Sequence, residues 1–281
     1  MRNYLKHLFA FIGTLSVILT SCDVIEGPFT EQAVVGECLE KCKKILLEDY
    51  TGHKCGNCPR ASEKVEELKN IYGEQLITIS IHAGSFAEPS GSYFTSDFRT
   101  NTGNEWDRHF GISAAGNPKG MINRTGYPES NHILDFEQWT QEVNKHLQNK
   151  PEAYINLDMN YHSTTRSLEI FSTTEILQST SDALSLNMIL TENSIIAYQK
   201  NYDADPEKIP DYEHNHMMRK SLTGTWGTDL GQKYYDKDDL IKKSFHVILD
   251  LEWIPENMSV VAFISKTNTF ELIQAQETPI K

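Results

Sequence analysis

The chain is short of positive charge. Its 281 residues carry 26 Lys and Arg against 39 Asp and Glu, a formal net charge of −13. Nucleic-acid binding needs clustered positive charge to neutralise phosphates, so this balance argues against a nucleic-acid partner. The sequence also lacks internal repeats and low-complexity segments, which excludes a repeat array as its architecture.

Long apolar runs are scarce as well, since only the N-terminal segment MRNYLKHLFAFIGTLSVILTSC contains one. Its apolar middle is short for a membrane span, which needs about 20 apolar residues. A basic start (Arg2 and Lys6), the apolar middle and small residues before Cys22 are the three parts of a secretory signal. The last four residues, LTSC, are similar to a bacterial lipobox. We predict a signal peptide over residues 1–21 and acylation of Cys22, the alternative being an ordinary signal with an incidental cysteine.

Cysteine is the third scarce component, and none occurs after residue 58. The five cysteines are Cys22, Cys38, Cys42, Cys55 and Cys58. An exported protein lies where disulfides form, so the four after Cys22 read as two pairs, or as one redox pair and one static pair. For Cys38 and Cys42 we predict a local disulfide, the alternative being a second redox pair that relays electrons.

The stretch LLEDYTGHKCGNCPRASEKVEELKN, residues 46–70, places a Cys-x-x-Cys pair between an apolar strand and a helical pattern. Backbone N–H groups at a helix N-terminus stabilise a thiolate and lower the pKa of a cysteine. We therefore expect Cys55 to attack and Cys58 to resolve. Three functions remain open for the pair: thiol–disulfide exchange, a static disulfide, and a zinc site that also uses the two earlier thiolates.

Two residues outside the pair are candidates for the same chemistry. Asp49, at the end of the preceding strand, is a candidate general base for the resolving thiol. Pro118 follows Gly116-Asn117, and we predict a cis peptide bond there that presents a backbone edge to an extended substrate. The strand after Pro118 is expected beside the Cys pair in a parallel sheet.

The pattern of the chain changes near Pro151. Residues 44–81 read as strand, helix, strand, which predicts a parallel pair with a crossover and an α/β domain over residues 44–150. After it, alternation of apolar and polar residues predicts an all-β, Ig-like sandwich over residues 151–281. The alternating segments are 153–161, 167–172, 183–190, 244–251 and 259–265. Residues 22–43 are predicted to be a linker after the acylated cysteine.

A polar and aromatic cluster, DYEHNHMMR, occupies residues 211–219. In an extended segment His214 and His216 would point to the same side, and two such histidines hold a metal if a carboxylate joins them. We predict no metal here. Tyr212, His214, His216 and Arg219 are instead candidates for a binding loop, the alternative being that they hydrogen-bond a long loop to the sandwich.

Two segments resemble the thioredoxin fold. Residues 49–58, DYTGHKCGNC, match the spacing of its active-site stretch, and the segment from Phe110 to Pro118 is similar to the approach to its cis proline. The match departs from that family at Lys54, where Trp is usual, and at Pro59, where Lys is usual. A longer insertion also precedes Pro118. The loss of Trp bears on substrate handling more than on redox capacity.

The chain as a whole resembles a narrower family, the 28-kilodalton outer membrane proteins (Omp28-related) of Bacteroidota. The lipobox, EDYTGHKCGNCPR, the 211–219 cluster, Trp226-Gly227 and VVAFI at 260–264 carry the resemblance. It implies an outer-membrane lipoprotein with acyl groups such as palmitate on Cys22 in the lipid bilayer. It also implies a thioredoxin-like domain followed by a β-rich part, and members have been discussed as surface antigens or adhesins.

Two functions follow as expectations. In the first, the Cys pair exchanges disulfides with exported thiol proteins and needs no cofactor beyond itself, because the disulfide carries the electrons. In the second, the chain is a cell-surface adhesin that binds host surface proteins, and the Cys pair is a structural disulfide.

Overall fold

The structure is a computed structural model that describes residues 41–280, nearly all of one compact unit spanning Val35–Lys281. The predicted signal peptide, Cys22 and Cys38 lie outside the described residues. In residues 41–280 no helix is both long enough and apolar enough to span a lipid bilayer.

The first part of the described chain mixes helices and strands. Its elements are β1 (Ile45–Thr51), α1 (Cys58–Tyr72), β2 (Leu76–His82), α2 (Asn101–Phe110), β3 (Lys119–Ile122) and α3 (Trp139–Leu147). Strands β1 and β2 are parallel and α1 connects them, which confirms the predicted strand–helix–strand unit. The parallel setting predicted for the strand after Pro118 is wrong, because β3 pairs with β1 in the antiparallel direction.

The second part is rich in strands. Its elements are β4 (Ala153–His162), β5 (Ser167–Ile176), β6 (Leu184–Glu192), β7 (Ile195–Lys200), β8 (Lys208–His214), β9 (Met217–Ser221), β10 (Thr228–Asp229), β11 (Leu240–Ile248), β12 (Met258–Lys266) and β13 (Leu272–Pro279). The five segments predicted from alternation all contain strands. Between them lie the hairpin β7–β8 and strand β9, which the alternation did not indicate.

A separate all-β sandwich is not confirmed, because strands of the second part continue the sheet of the first. One eight-stranded sheet has the order β13-β12-β6-β9-β2-β1-β3, and β10 pairs with β6. Strand β9 makes the junction: the Ser80 N–H of β2 donates to the His216 carbonyl at 2.8 Å, and β9 also pairs with β6. The predicted division at residues 150/151 stays a prediction; it falls between the end of α3 and the start of β4.

The second part forms no separate sandwich because strands β6 and β12 are covered on both faces. All nine residues of β6 are buried, and so are eight of the nine residues of β12. Their alternation is real, but both faces are covered, as in the central strands of large mixed sheets. One face packs on the separate three-stranded sheet β11-β5-β4, through a core that includes Leu186, Ile170 and Val260.

The other face of these strands shares a core with β1, β2 and α2. Ile189 and Phe263 from the second part pack there with Tyr50, Ile79 and Trp106 from the first. Strand β13, at the opposite end of the strand order from β3, also reaches the segment before β1, where Lys43 Nζ donates to the Ile273 carbonyl at 2.7 Å. Trp106 and Phe110 of α2 pack in this core against residues of β1, β2, β6, β12 and β13. A third core packs α1 and α3 on the opposite face of β1 and β2.

A buried ion pair lies in the shared core. Arg124 donates from Nε and Nη2 to the two carboxylate oxygens of Glu48 at 2.8 and 2.6 Å, and each side chain is 1% exposed. The guanidinium lies 4.4 Å from the ring centroid of Trp106, 5.0 Å from Phe110 and 5.2 Å from Phe263. One side chain thus connects β1, α2 and β12.

We predict that Glu48→Gln lowers the free energy of unfolding by about 3–5 kcal/mol, because it leaves the Arg124 charge buried without a counter-charge. Urea unfolding measures the change. Glu67→Gln is the matched control, since Glu67 pairs with Lys64 at an exposed site and its loss should cost at most about 0.5 kcal/mol. Equal losses of unfolding free energy in the two variants would show that the buried pair stabilises the fold no more than the exposed pair does.

Candidate functional site

Cys55 and Cys58 form a disulfide at the start of α1, with an S–S distance of 2.13 Å and 5.4 Å between Cα atoms. Helix α1 begins at Cys58, has Pro59 in its first turn and has no side-chain cap from Asn57. Cys58 is the first residue of α1, and the partial positive charge of a helix start favours a thiolate in a Cys-x-x-Cys pair placed there. The two cysteines are only 3% and 1% exposed, so the disulfide is closed off from solvent.

Two adjacent carboxyl groups in β1 have different surroundings because side chains alternate along a strand. Glu48 faces the core that contains Arg124 and is paired with it. Asp49 faces the side of α1, is 1% exposed, and has no hydrogen-bond partner at Oδ1. Burial raises the pKa of Asp49 to about 7. Near neutral pH this carboxyl group can therefore both hold and release a proton, as a proton carrier must.

The hairpin β7–β8 covers the Cys loop, which we define as residues 52–58. The Lys200 N–H donates to the His53 carbonyl at 2.8 Å, and the Tyr202 N–H donates to the Gly56 carbonyl at 2.8 Å. Gln199 Nε2 donates to the Cys55 carbonyl at 2.9 Å. These bonds join parts of the chain some 144 residues apart and hold the hairpin against the Cys loop.

The insertion before α2 covers the other side of the Cys loop. The Lys54 N–H donates to the Phe86 carbonyl at 3.0 Å, and a Cβ on Gly52 would lie 2.5 Å from the backbone of Phe86. Only glycine permits that approach. His53 stacks on Phe94 with ring centroids 5.4 Å apart and is buried, at 1% exposure. Burial lowers the pKa of His53, which favours the neutral ring.

A cavity of about 20 Å³ lies behind the disulfide, large enough for one water molecule. It is lined by Cys58, Ser62, His82, Tyr212 and His214 among others. Burial lowers the pKa of His82 well below its usual range and that of His214 to about 4, so both rings are neutral at pH 7. Burial raises the pKa of Tyr212, and the charge of Asp49 raises it to a smaller extent. Asp49 therefore interacts electrostatically with a residue of the cavity wall.

The residues predicted as a binding loop separate into two groups. Tyr212 and His214 belong to β8 and line the cavity beside Cys58, with their ring centroids 4.9 Å apart. His216 has a φ of 56° between β8 and β9, so it does not continue the extended segment, and its Nε2 lies 3.4 Å from Glu66. Arg219 in β9 pairs with Glu192 at 3.2 Å. Among residues 41–280 no group of three or more His, Cys, Asp or Glu is placed to hold a metal ion.

The remaining predicted residues lie as follows. The Asn117–Pro118 peptide bond is cis and directly precedes β3, which confirms the predicted geometry, while the role of Pro118 stays a prediction. Cys42 is disulfide-bonded. Its predicted partner, Cys38, lies outside the described residues, so that pairing stays a prediction.

Sequence reasoning missed three contributors to the site. His82 ends β2 next to the cavity, and Gln199 and Tyr202 come from a hairpin that carries no recognisable motif. The pattern around residue 200 gives no sign of what it contacts. Only the density of polar and aromatic residues at 211–219 marked this region as unusual, and part of that cluster does line the cavity.

The fold and site define a class of protein: a mixed α/β part with a Cys-x-x-Cys disulfide at a helix start, and a strand-rich second part built onto its sheet. The sequence profile of the family described as "Outer membrane protein Omp28" matches residues 104–281. The chain belongs to this family of outer membrane proteins.

Solved structures are similar in fold. HBP35 of Porphyromonas gingivalis superposes with a TM-score of 0.64 at 18% identity, over 86% of this chain and 76% of that one. Protein AGR_C_4864 of Agrobacterium tumefaciens has a TM-score of 0.50 at 11% identity, over 86% and 96%. A domain of the outer membrane lipoprotein Omp28 of P. gingivalis has a TM-score of 0.33 at 17% identity, over 47% and 89%. A search of curated proteins found no match.

We predict that the stability of the protein depends on pH through Asp49. Between pH about 4 and about 7 the folded chain keeps the Asp49 proton and the unfolded chain has lost it, so the contribution of Asp49 to the free energy of unfolding falls as the pH rises. Asp49→Asn removes this dependence. The variant should gain stability relative to the native chain by up to roughly 4 kcal/mol from pH 4 to pH 8. Urea unfolding at each pH measures it, and parallel curves for the two proteins would contradict the assignment.

Proposed function

We propose that this protein exchanges disulfides with exported proteins through Cys55 and Cys58. The observation that carries the proposal is the Cys55–Cys58 disulfide at the uncapped start of α1, combined with a buried carboxyl group in the adjacent strand whose pKa is about 7. Cys58 begins α1 and Cys55 lies three residues before it, a placement that favours a thiolate in the pair, and Asp49 supplies a group that titrates near neutral pH.

The chemistry is a pair of sulfur displacements. In the reducing direction the Cys55 thiolate attacks a substrate disulfide, one substrate thiol leaves, and a mixed disulfide forms. Cys58 then loses its proton and attacks the Cys55 sulfur, which releases the second substrate thiol and restores the Cys55–Cys58 disulfide. In our proposal Asp49 takes the Cys58 proton, by way of the cavity lined by Cys58 and Tyr212. The oxidising direction reverses these steps, and no other cofactor takes part.

We further propose that Cys22 carries the acyl groups that anchor the protein in the outer membrane. Membership of an outer membrane protein family and the lipobox-like LTSC support this location. Each buried acyl methylene contributes about 0.8 kcal/mol, so several chains on one residue hold a protein firmly. The partners in this proposal are the lipid bilayer and exported proteins with exchangeable thiols.

One observation favours a second candidate function. Both cysteines are almost fully buried, at 3% and 1% exposure, as is usual for a structural disulfide. In this alternative the Cys pair is a staple, the thioredoxin-like part is a scaffold, and the protein is a surface adhesin that binds host surface proteins.

The reduction potential of the Cys55–Cys58 pair decides between disulfide exchange and the adhesin with a structural disulfide. We predict a value between about −120 and −270 mV, the range of working exchange proteins. The chain from residue 23 onward is equilibrated in glutathione or dithiothreitol buffers and alkylated. The tryptic peptide CGNCPR, residues 55–60, then reports this pair free of the other cysteines. A value below about −300 mV would assign the pair as structural and favour the adhesin.

The anchor is tested separately with Cys22→Ala in a bacterial host that processes lipoproteins. The native chain should incorporate labelled palmitate and sediment with membranes, and the variant should do neither, because it lacks the thiol that is acylated. Cys42→Ala is the matched control and should still be labelled. Membrane recovery and labelling of Cys22→Ala equal to the native chain would refute acylation at this cysteine.

A further inference from the structure

The tip of the hairpin, residues 201–207, rests directly on the Cys loop. The ring of Tyr202 lies against Gly56 so closely that a Cβ on Gly56 would be 2.6 Å from it. The backbone of Tyr202 also donates to the Gly56 carbonyl. Next to it, Arg60 of α1 donates from Nε and Nη2 to the carboxylate of Asp203 at 2.6 and 2.5 Å. A backbone bond, a ring and an ion pair thus close the tip over the first turn of α1.

The hairpin that carries this tip contacts the Cys loop through Gln199 and Lys200, and its base connects it to strands β6 and β9 of the main sheet. Among the described residues β7 and β8 pair only with each other, as a two-stranded sheet. The base has Ser194 and His216 in the left-handed region, with φ of 58° and 56°. Two amide side chains close it: the Ser194 N–H donates to Asn215 Oδ1 and the His216 N–H donates to Asn193 Oδ1. The tip is the part farthest in sequence from this base.

The side chains that hold the tip are half exposed, whereas the Cys55–Cys58 disulfide beneath the tip is buried. Arg60 and Asp203 are each 50% exposed, and Tyr202 is 50% exposed. Solvent-exposed ion pairs contribute little to stability, and segments held by exposed contacts open locally long before the whole protein unfolds. The disulfide under the tip is nevertheless 3% and 1% exposed at its two cysteines. A weakly held segment therefore covers a well-buried reactive bond.

We propose that residues 201–207 are a cover that regulates access to the Cys55–Cys58 disulfide. With the cover closed, no partner thiolate reaches the Cys55 sulfur; when Tyr202 leaves Gly56 and Asp203 leaves Arg60, the sulfur becomes accessible. The biological use of the cover rests on the proposed exchange function. The same movement reconciles a buried pair with exchange chemistry, because the closed form is the resting form and the open form reacts.

The rate of reduction by dithiothreitol tests the cover. One thiolate of the reagent attacks the Cys55 sulfur and Cys58 leaves as a thiolate that takes up a proton. The second thiol of the reagent then displaces Cys55, so that two reagent thiols become a ring disulfide and the protein gains two thiols. Samples are quenched with acid at intervals and alkylated, and the peptide CGNCPR gives the reduced fraction.

Two variants open the cover to different extents. In the first, Asn-Gly replaces residues 201–207, which joins Lys200 to its partner Lys208 by a two-residue turn and removes Tyr202 and Asp203. In the second, Asp203→Asn weakens only the ion pair. Glu207→Gln is the matched control, because Glu207 lies in the same tip but pairs with Lys200 rather than with α1.

We expect reduction about tenfold faster or more in the Asn-Gly variant, about two- to fivefold faster in Asp203→Asn, and unchanged in the control. If both variants are reduced at the native rate, and the urea midpoint of Asp203→Asn is unchanged, the proposal that residues 201–207 regulate access to the disulfide is overturned. If the Asn-Gly variant does not fold, Asp203→Asn alone decides. The result is independent of the reduction potential: faster reduction with a potential in the structural range would retain the cover and reject exchange.

Discussion

The buried pair of Glu48 and Arg124 is the constraint on which the rest of the structure depends. A charge without a counter-charge at this depth is strongly destabilising, so the carboxylate and the guanidinium must be buried together. The guanidinium also lies against Trp106 of α2 and Phe263 of β12. Burying the pair therefore brings strand β1, helix α2 and strand β12 of the second part together around one point.

The same strand sets up the candidate site on its other face. Alternation sends Asp49 to the side of α1, away from Arg124, and burial alone then raises its pKa to about 7. The Cys pair at the start of α1 and the cavity behind Cys58 lie on this side. Strand β8 supplies Tyr212 and His214 to the cavity wall, so the second part of the chain completes the site as well as covering it.

Much of this arrangement was predictable from local signals. The apolar strand, the Cys-x-x-Cys pair, Pro59 in the first helical turn and the alternation after residue 151 are all short-range patterns with direct physical meaning. The cis bond at Pro118 and the family were predicted from motifs. Three expectations failed or were left open: the direction of β3, the separate sandwich, and the single binding loop, whose residues divide between the cavity and distant ion pairs. Each of them depends on which distant segment a residue contacts, and local sequence patterns do not specify that.

The sequence by itself determined many of the helices and strands, the Cys-x-x-Cys pair at a helix start and membership of an outer membrane protein family, because each depends on residues close together in the chain. Only the tertiary structure decided which face each carboxyl group occupies, that β6 and β12 are buried on both faces, and that the disulfide is covered. The burial of a side chain and the pKa of a carboxyl group depend on residues that pack against it from distant parts of the chain. The hairpin that covers Cys55 lies some 144 residues away and carries no pattern that specifies its contact.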